Sequence, residues 1–160
     1  MIIGIDCTAL KAGYKGGINT FTFGLIKGLI NKGQKHQFVI FATSNNLTLF
    51  KIINKNNNVK IVIIKNYLWL INIIFNLISL IVGNEYIYVK INNFFKSTQT
   101  KIIDNKSDFI YVPTTLLNTY NNVKPTLISM HDIQHVHYPE FFSKIQLLYR
   151  KMVFSISAKK

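Results

Sequence analysis

The chain opens on a short apolar run, residues 1–6 (MIIGID), which reads as a buried strand. A loop of turn formers follows, with Gly13, Gly16 and Gly17. From Ile18 to Lys32 the apolar positions change period. Phe21, Leu25 and Leu29 recur every four residues, and Ile18, Ile26 and Ile30 widen the stripe, so an amphipathic helix is predicted. Asn31 and Gly33 supply its stop. Residues 36–43 (HQFVIFAT) predict a second strand, residues 46–53 a short helix, 55–58 a polar turn and 59–64 (VKIVII) a third strand. Strand, helix, strand, helix, strand with short connections predicts an α/β fold: a Rossmann-like parallel sheet with helices on both faces.

The second half carries the most apolar stretch, residues 67–83 (YLWLINIIFNLISLIVG), which begins with Tyr67 and ends with Gly83. Its length only reaches the low end of the roughly 17–25 residues that span a bilayer. Asn72, Asn76, Ser79 and Gly83 fall on one helical face, a polar stripe that a lipid-spanning helix would not need. A helix packed on the sheet is expected, with one face available to a membrane interface. Lys51, Lys55, Lys60 and Lys65 precede it and suit anionic lipid. Residues 108–112 (DFIYV) and 126–130 (TLISM) predict two more buried strands, and residues 140–158 a closing helix behind Pro139. Residues 85–105 are the least regular, with helix expected from Phe94 onward. No Pro/Gly/Ser linker divides the 160 residues, so one domain is expected. Lys159 and Lys160 leave a helical pattern without a cap, which reads as a chain cut short rather than finished.

Composition narrows the function classes. At 49% hydrophobic residues the chain is too apolar for disorder and can build a core without staples. No period or heptad runs through it, so repeat and coiled-coil architectures are excluded. Cys7 is the single cysteine, which rules out an internal disulfide and leans towards a reducing compartment. The opening apolar run is too short, and too soon broken by Asp6, for a secretory signal. A net charge of +13 favours an anionic partner. Only Arg150 is an arginine, however, and lysine is poor at planar bidentate recognition; nucleic acid is therefore not expected as a partner. The abundance of Ile, Lys, Asn, Phe and Tyr also matches A/T-rich codons, which accounts for part of the charge.

Two segments carry candidate chemistry. The glycine loop GYKGGINTF lies between the first strand and the first helix, where a backbone can approach an anionic ligand closely. It is neither a dinucleotide fingerprint, since Asn19 takes the third glycine's place, nor a P-loop. The second segment is HDIQHVHYPEFF, which puts His131 and Asp132 at the end of a strand, the ligand edge of an open α/β sheet. His131 can hydrogen-bond a sugar or phosphate or move a proton there. His135 and His137 are expected to be solvated, and their spacing with His131 suits no common zinc pattern, so no metal is expected. No nucleophile–base pair and no pair of hydrolytic carboxylates is readable.

Taken together, MIIGIDCTAL, GYKGGINTFTFGLIKGL, DFIYVPTTLL and KPTLISMHDIQHVHYPEFFS resemble the N-terminal domain of family 4 glycosyltransferases, one half of a two-domain GT-B fold. The resemblance is weakest from Lys65 to Ser107. It implies a retaining, metal-independent transfer of a sugar from a nucleotide-sugar donor to a glycan or lipid-linked acceptor, with no cofactor. It implies that Gly16 and Gly17 lie near the donor diphosphate, that His131 contacts the donor sugar at the reacting centre, and that Asp132 belongs to the same site. It also implies a cytoplasmic protein, with peripheral contact at the cytoplasmic membrane face through residues 67–83. The family's Glu-x7-Glu element and its basic pair for the diphosphate sit in a second domain that these 160 residues do not contain. Little activity is expected of the 160 residues alone, and a non-catalytic binding domain or relic of the same fold is the alternative.

Overall fold

The computed structural model describes the chain apart from residues 14–15, 51–52, 54–55, 66–68, 116, 118, 132 and 159–160, and apart from the side chains of residues 69, 72, 76, 79 and 80. The elements run β1 (Ile2–Asp6), α1 (Gly17–Lys32), β2 (Gln37–Ala42), β3 (Val59–Ile63), α2 (Trp69–Val82), α3 (Glu85–Asn105), β4 (Phe109–Val112), β5 (Thr126–Ile128), α4 (Gln134–His137) and α5 (Lys144–Ala158). The five strands form one sheet in the order β3-β2-β1-β4-β5. All the pairings are parallel, with Ile5 of β1 opposite Ile40 of β2 and Tyr111 of β4.

The unbroken apolar run of β2 follows from burial on two sides, as parallel strands require. Phe38, Ile40 and Ala42 enter one core, where Ile26 and Ile30 of α1 cover the sheet. Val39 and Phe41 enter the other, where Ile103 of α3 and Met152 and Val153 of α5 cover it. The expected α/β sheet with helices on both faces is therefore present. One glycine is fixed by packing: a Cβ at Gly4 would collide with Ser107 Oγ and sit 2.9 Å from the Phe41 ring.

Several boundaries differ from the sequence expectation, each for a local reason. α3 begins at Glu85 rather than near Phe94. Asn84 caps it by accepting from the Ile87 amide at 3.1 Å, and Gly83, at φ 67°, turns the chain out of α2. α5 begins at Lys144 rather than Glu140. Ser143 and Gln146 form a reciprocal capping box: the Ser143 amide donates to Gln146 Oε1 at 2.8 Å and the Gln146 amide to Ser143 Oγ at 3.3 Å. Residues 139–141 form a separate 3-10 turn. The helix expected over 46–53 is, among the described residues, the single 3-10 turn Leu47–Phe50. α2 has α3 as its principal neighbour rather than the sheet, with the Phe75 and Phe95 rings 5.7 Å apart. The polar stripe expected at Asn72, Asn76 and Ser79 lies outside the described side chains.

Candidate functional site

In this strand order the chain leaves β1 towards β2 and β3 on one side, then crosses to β4 on the other. That reversal opens a crevice at the carboxyl ends of β1 and β4, the usual ligand position in an open α/β sheet. The segments that meet there are the loop after β1, the start of α1 and the ends of β4 and β5.

Two asparagines shape the first loop. Asn46 is wholly buried, and its Nδ2 donates to the carbonyls of Cys7 and Leu10, both at 2.9 Å. Its Oδ1 accepts from the Thr43 amide at 2.8 Å, so one side chain joins the turns after β1 and β2. Asn19 Nδ2 donates to the Lys11 carbonyl at 3.0 Å and ties the glycine loop to the first turn of α1. Gly16 is the N-cap of α1 in ordinary extended backbone, φ −94° and ψ 160°. A Cβ at Gly17 would meet nothing within 4 Å, so the fold itself does not demand glycine at that position. Tyr14 and Lys15 lie outside the described residues.

His131 follows β5 and is held at three points. Its amide donates to Thr115 Oγ1 at 3.2 Å. Its ring meets Phe21 of α1 edge-on at 5.1 Å. Its Nε2 lies 2.8 Å from the Pro113 carbonyl. A carbonyl can only accept, so Nε2 carries the proton and donates. Nδ1 is then the nitrogen left for a ligand, an acceptor in the neutral ring and a donor in the charged one. Asp132 lies outside the described residues.

His131 lines a cleft of about 430 Å³. Ile18 of α1, Thr115 and His131 line it together with Tyr149, Arg150 and Phe154 of α5. The cleft thus takes in the first turn of α1, immediately after Gly16 and Gly17, but neither glycine lines it. The remaining histidines behave differently from each other. His137 is exposed as expected, whereas His135 is half-buried and packs edge-on against Phe154 at 4.8 Å. Among the described residues no group of three or more His, Cys, Asp or Glu side chains could hold a metal.

Beside the cleft lies an electrostatic pair that sequence reasoning missed. Asp6, at the end of β1, is 2% exposed. Burial pushes its carboxyl above the usual range, while the Thr8 hydroxyl and amide and the charge of Lys96 act the other way. Burial lowers Lys96 of α3 to about 8, with the Asp6 charge opposing. Cys7 next to them is fully buried, and burial first and Asp6 second push its thiol well up, which makes it an unreactive core residue. Asn46 and Lys96 gave no local signal, because their partners are distant in sequence. Arg150 did give one: it is the only arginine in the chain.

No family model, curated protein or solved structure matches the chain.

Proposed function

We propose that this chain is the acceptor-side domain of a retaining glycosyltransferase that moves a sugar from a nucleotide-sugar donor to a glycan or lipid-linked acceptor. The observation that carries the reading is the position of His131. It stands at the carboxyl end of β5, in a cleft that also takes in the first turn of α1 behind Gly16 and Gly17. A donor lying across that edge would put its diphosphate at the amide-rich start of α1. Its sugar would come against the His131 ring, where Nδ1 accepts from a hydroxyl of the sugar.

In the transfer, the bond from the anomeric carbon to the diphosphate oxygen breaks and a bond to the acceptor oxygen forms. The acceptor hydroxyl's proton leaves with the diphosphate. Such a reaction depends on groups that stabilise charge on the departing diphosphate, and in GT-B enzymes these come from both domains. The 160 residues alone are therefore read as binding sugars without turning over a donor.

A second feature of the reading is peripheral contact with an anionic bilayer. Among the described side chains of α2, nine large apolar ones from Leu70 to Val82 are exposed. No helix among the described residues is long and apolar enough to cross a membrane.

Saturation-transfer NMR on the chain with UDP-glucose, GDP-mannose and methyl glucoside tests the sugar-binding reading. The expected result is transfer from the protein to the sugar protons of the methyl glucoside and of a nucleotide sugar, cut at least about fivefold by His131→Ala. Gly17→Ala is expected to weaken the nucleotide sugar alone while leaving stability within about 1 kcal/mol of the parent. Transfer unaffected by His131→Ala, or none to any sugar, would sink the proposal.

A further inference from the structure

The structure assigns Asn46 and Asn19 as positioning residues for the donor's diphosphate: they hold carbonyls of the loop after β1 inward, so that the rim of the cleft meets the ligand with N–H donors. This deepens the proposed function and rests on it, since the diphosphate is expected at the start of α1. Neither side chain would touch the ligand. Asn46 is wholly buried, Asn19 is 8% exposed, and neither lines the cleft. Ala9, between the two residues whose carbonyls Asn46 holds, and Ile18, next to Asn19, do line it.

Three carbonyls of the loop are committed inward. The Cys7 carbonyl accepts from the Leu10 amide at 3.1 Å and from Asn46 Nδ2 at 2.9 Å, which uses both its lone pairs. The Leu10 carbonyl accepts from the same Asn46 nitrogen at 2.9 Å, and the Lys11 carbonyl from Asn19 Nδ2 at 3.0 Å. An acceptor bound by a buried amide faces the protein, not the cleft. The donors of α1 are disposed differently. Thr20 makes the first intrahelical bond, to Gly16 at 3.3 Å, so the Gly17 and Ile18 amides have no acceptor within the helix. An ionised diphosphate only accepts hydrogen bonds, and a loop without its tethers could turn three carbonyls towards it. Asparagine suits the task because one planar group holds two N–H donors and an acceptor. Asn46 gives its nitrogen to the β1 loop and its Oδ1 to the Thr43 amide at 2.8 Å. Aspartate there would set an acceptor against two carbonyls, and leucine would leave all three groups unpaired.

The experiment is an NMR titration of the isotope-labelled chain with UDP and with methyl glucoside, repeated on Asn19→Ala and Asn46→Ala. The reporters are the Ala9 and Ile18 amides for the diphosphate and the His131 and Thr115 amides for the sugar. In the parent chain UDP should shift the first pair and methyl glucoside the second. Asn19→Ala should raise the UDP Kd at least about fivefold, the size of one misplaced hydrogen bond, and keep the methyl glucoside Kd within about twofold. Alanine is the better helix former at that position, which offsets part of the lost bond and keeps the variant folded. Asn46→Ala should weaken UDP further, because two carbonyls are released at once. If Asn46→Ala fails to fold, Asn19→Ala decides the matter alone.

The split between the two ligands is what a merely structural role would not produce. A UDP Kd that Asn19→Ala leaves unmoved would overturn the assignment while leaving the sugar-binding reading intact. So would an equal loss of both ligands, which would mark a general loosening of the site. Methyl glucoside bound at His131, with UDP shifting neither Ala9 nor Ile18, would remove the diphosphate from this rim and the positioning role with it. No shift with either ligand would defeat both the assignment and the reading it rests on.

Discussion

Lys96 and Asp6 face each other across the join between α3 and the end of β1, and burial works against both charges. The consequence for stability follows from the direction of each shift. Lys96 has a folded value of about 8, below its ordinary 10.5. Below pH 8 both states hold the proton, and the native state carries the full cost of a buried ammonium. Between 8 and 10.5 the unfolded chain binds more protons than the native one, so this group's contribution to stability rises with pH. Asp6 runs oppositely: its raised carboxyl favours the native state at low pH, and that contribution is lost as pH rises through the raised value. Cys7 and the buried phenols of Tyr88 and Tyr120 have raised values and pull stability down above pH 9 to 10, so wild-type stability alone would mix the effects. The difference between wild type and Lys96→Met removes these shared groups. It should move in favour of wild type by up to about 3 kcal/mol between pH 7 and 10.5, read from urea midpoints. In Asp6→Asn the titration of Lys96, followed at its Cε by NMR, should fall below 8; an unmoved midpoint would mean the two charges do not interact. At this scale the sequence was only partly readable. The place of His131 just after β5 was legible because strand ends announce themselves through the apolar run that precedes them. Asn46 was not, since its two carbonyl partners lie 39 and 36 residues away.

Among elements, the informative case is the α2–α3 hairpin. Periodicity located α2 because its apolar residues are dense. It failed on the first half of α3, where Tyr86, Ile87, Tyr88 and Val89 form a nearly continuous apolar run without a clean 3.6 period. The start of α3 is written instead in its cap: Asn84 at the N-cap and Glu85 in the first turn, where a carboxylate also complements the helix dipole. Gly83 in the left-handed region then separates two helices that would otherwise compete to continue. Asn84→Ala should cost about 1 kcal/mol in urea denaturation, and Asn84→Ser should recover most of it, because serine accepts the same amide bond. An alanine variant as stable as the parent would show that packing against α2, not capping, sets where α3 begins. The same logic explains the late start of α5, whose Ser143–Gln146 box lies inside a segment that the apolar pattern extended back to Glu140.

For the whole molecule, the asymmetry of charge and apolar surface carries the remaining consequence. Between Asp6 and Glu85 the sequence has nine lysines and no acidic residue. Within that span the described side chains of α2 include a broad exposed apolar face, with Ile81 most exposed at 84%. Exposed apolar surface on this scale is uncommon unless something covers it. Fourteen residues of helix reach about 21 Å, short of the roughly 30 Å hydrocarbon thickness, so α2 suits lying at a bilayer surface rather than crossing it. Lysines near that surface would each add about 1 kcal/mol of attraction to anionic lipid, screened by salt. The chain should therefore float with vesicles containing phosphatidylglycerol at low salt, float less at 0.5 M salt, and float weakly with neutral phosphatidylcholine. Ile74→Asp with Ile81→Asp should abolish flotation without loss of fold, since both side chains are already exposed, and Lys60→Glu should weaken it. If the parent chain does not float but sediments as a concentration-dependent dimer that the same aspartates dissolve, α2 is covered by a second protein surface and the lipid reading fails.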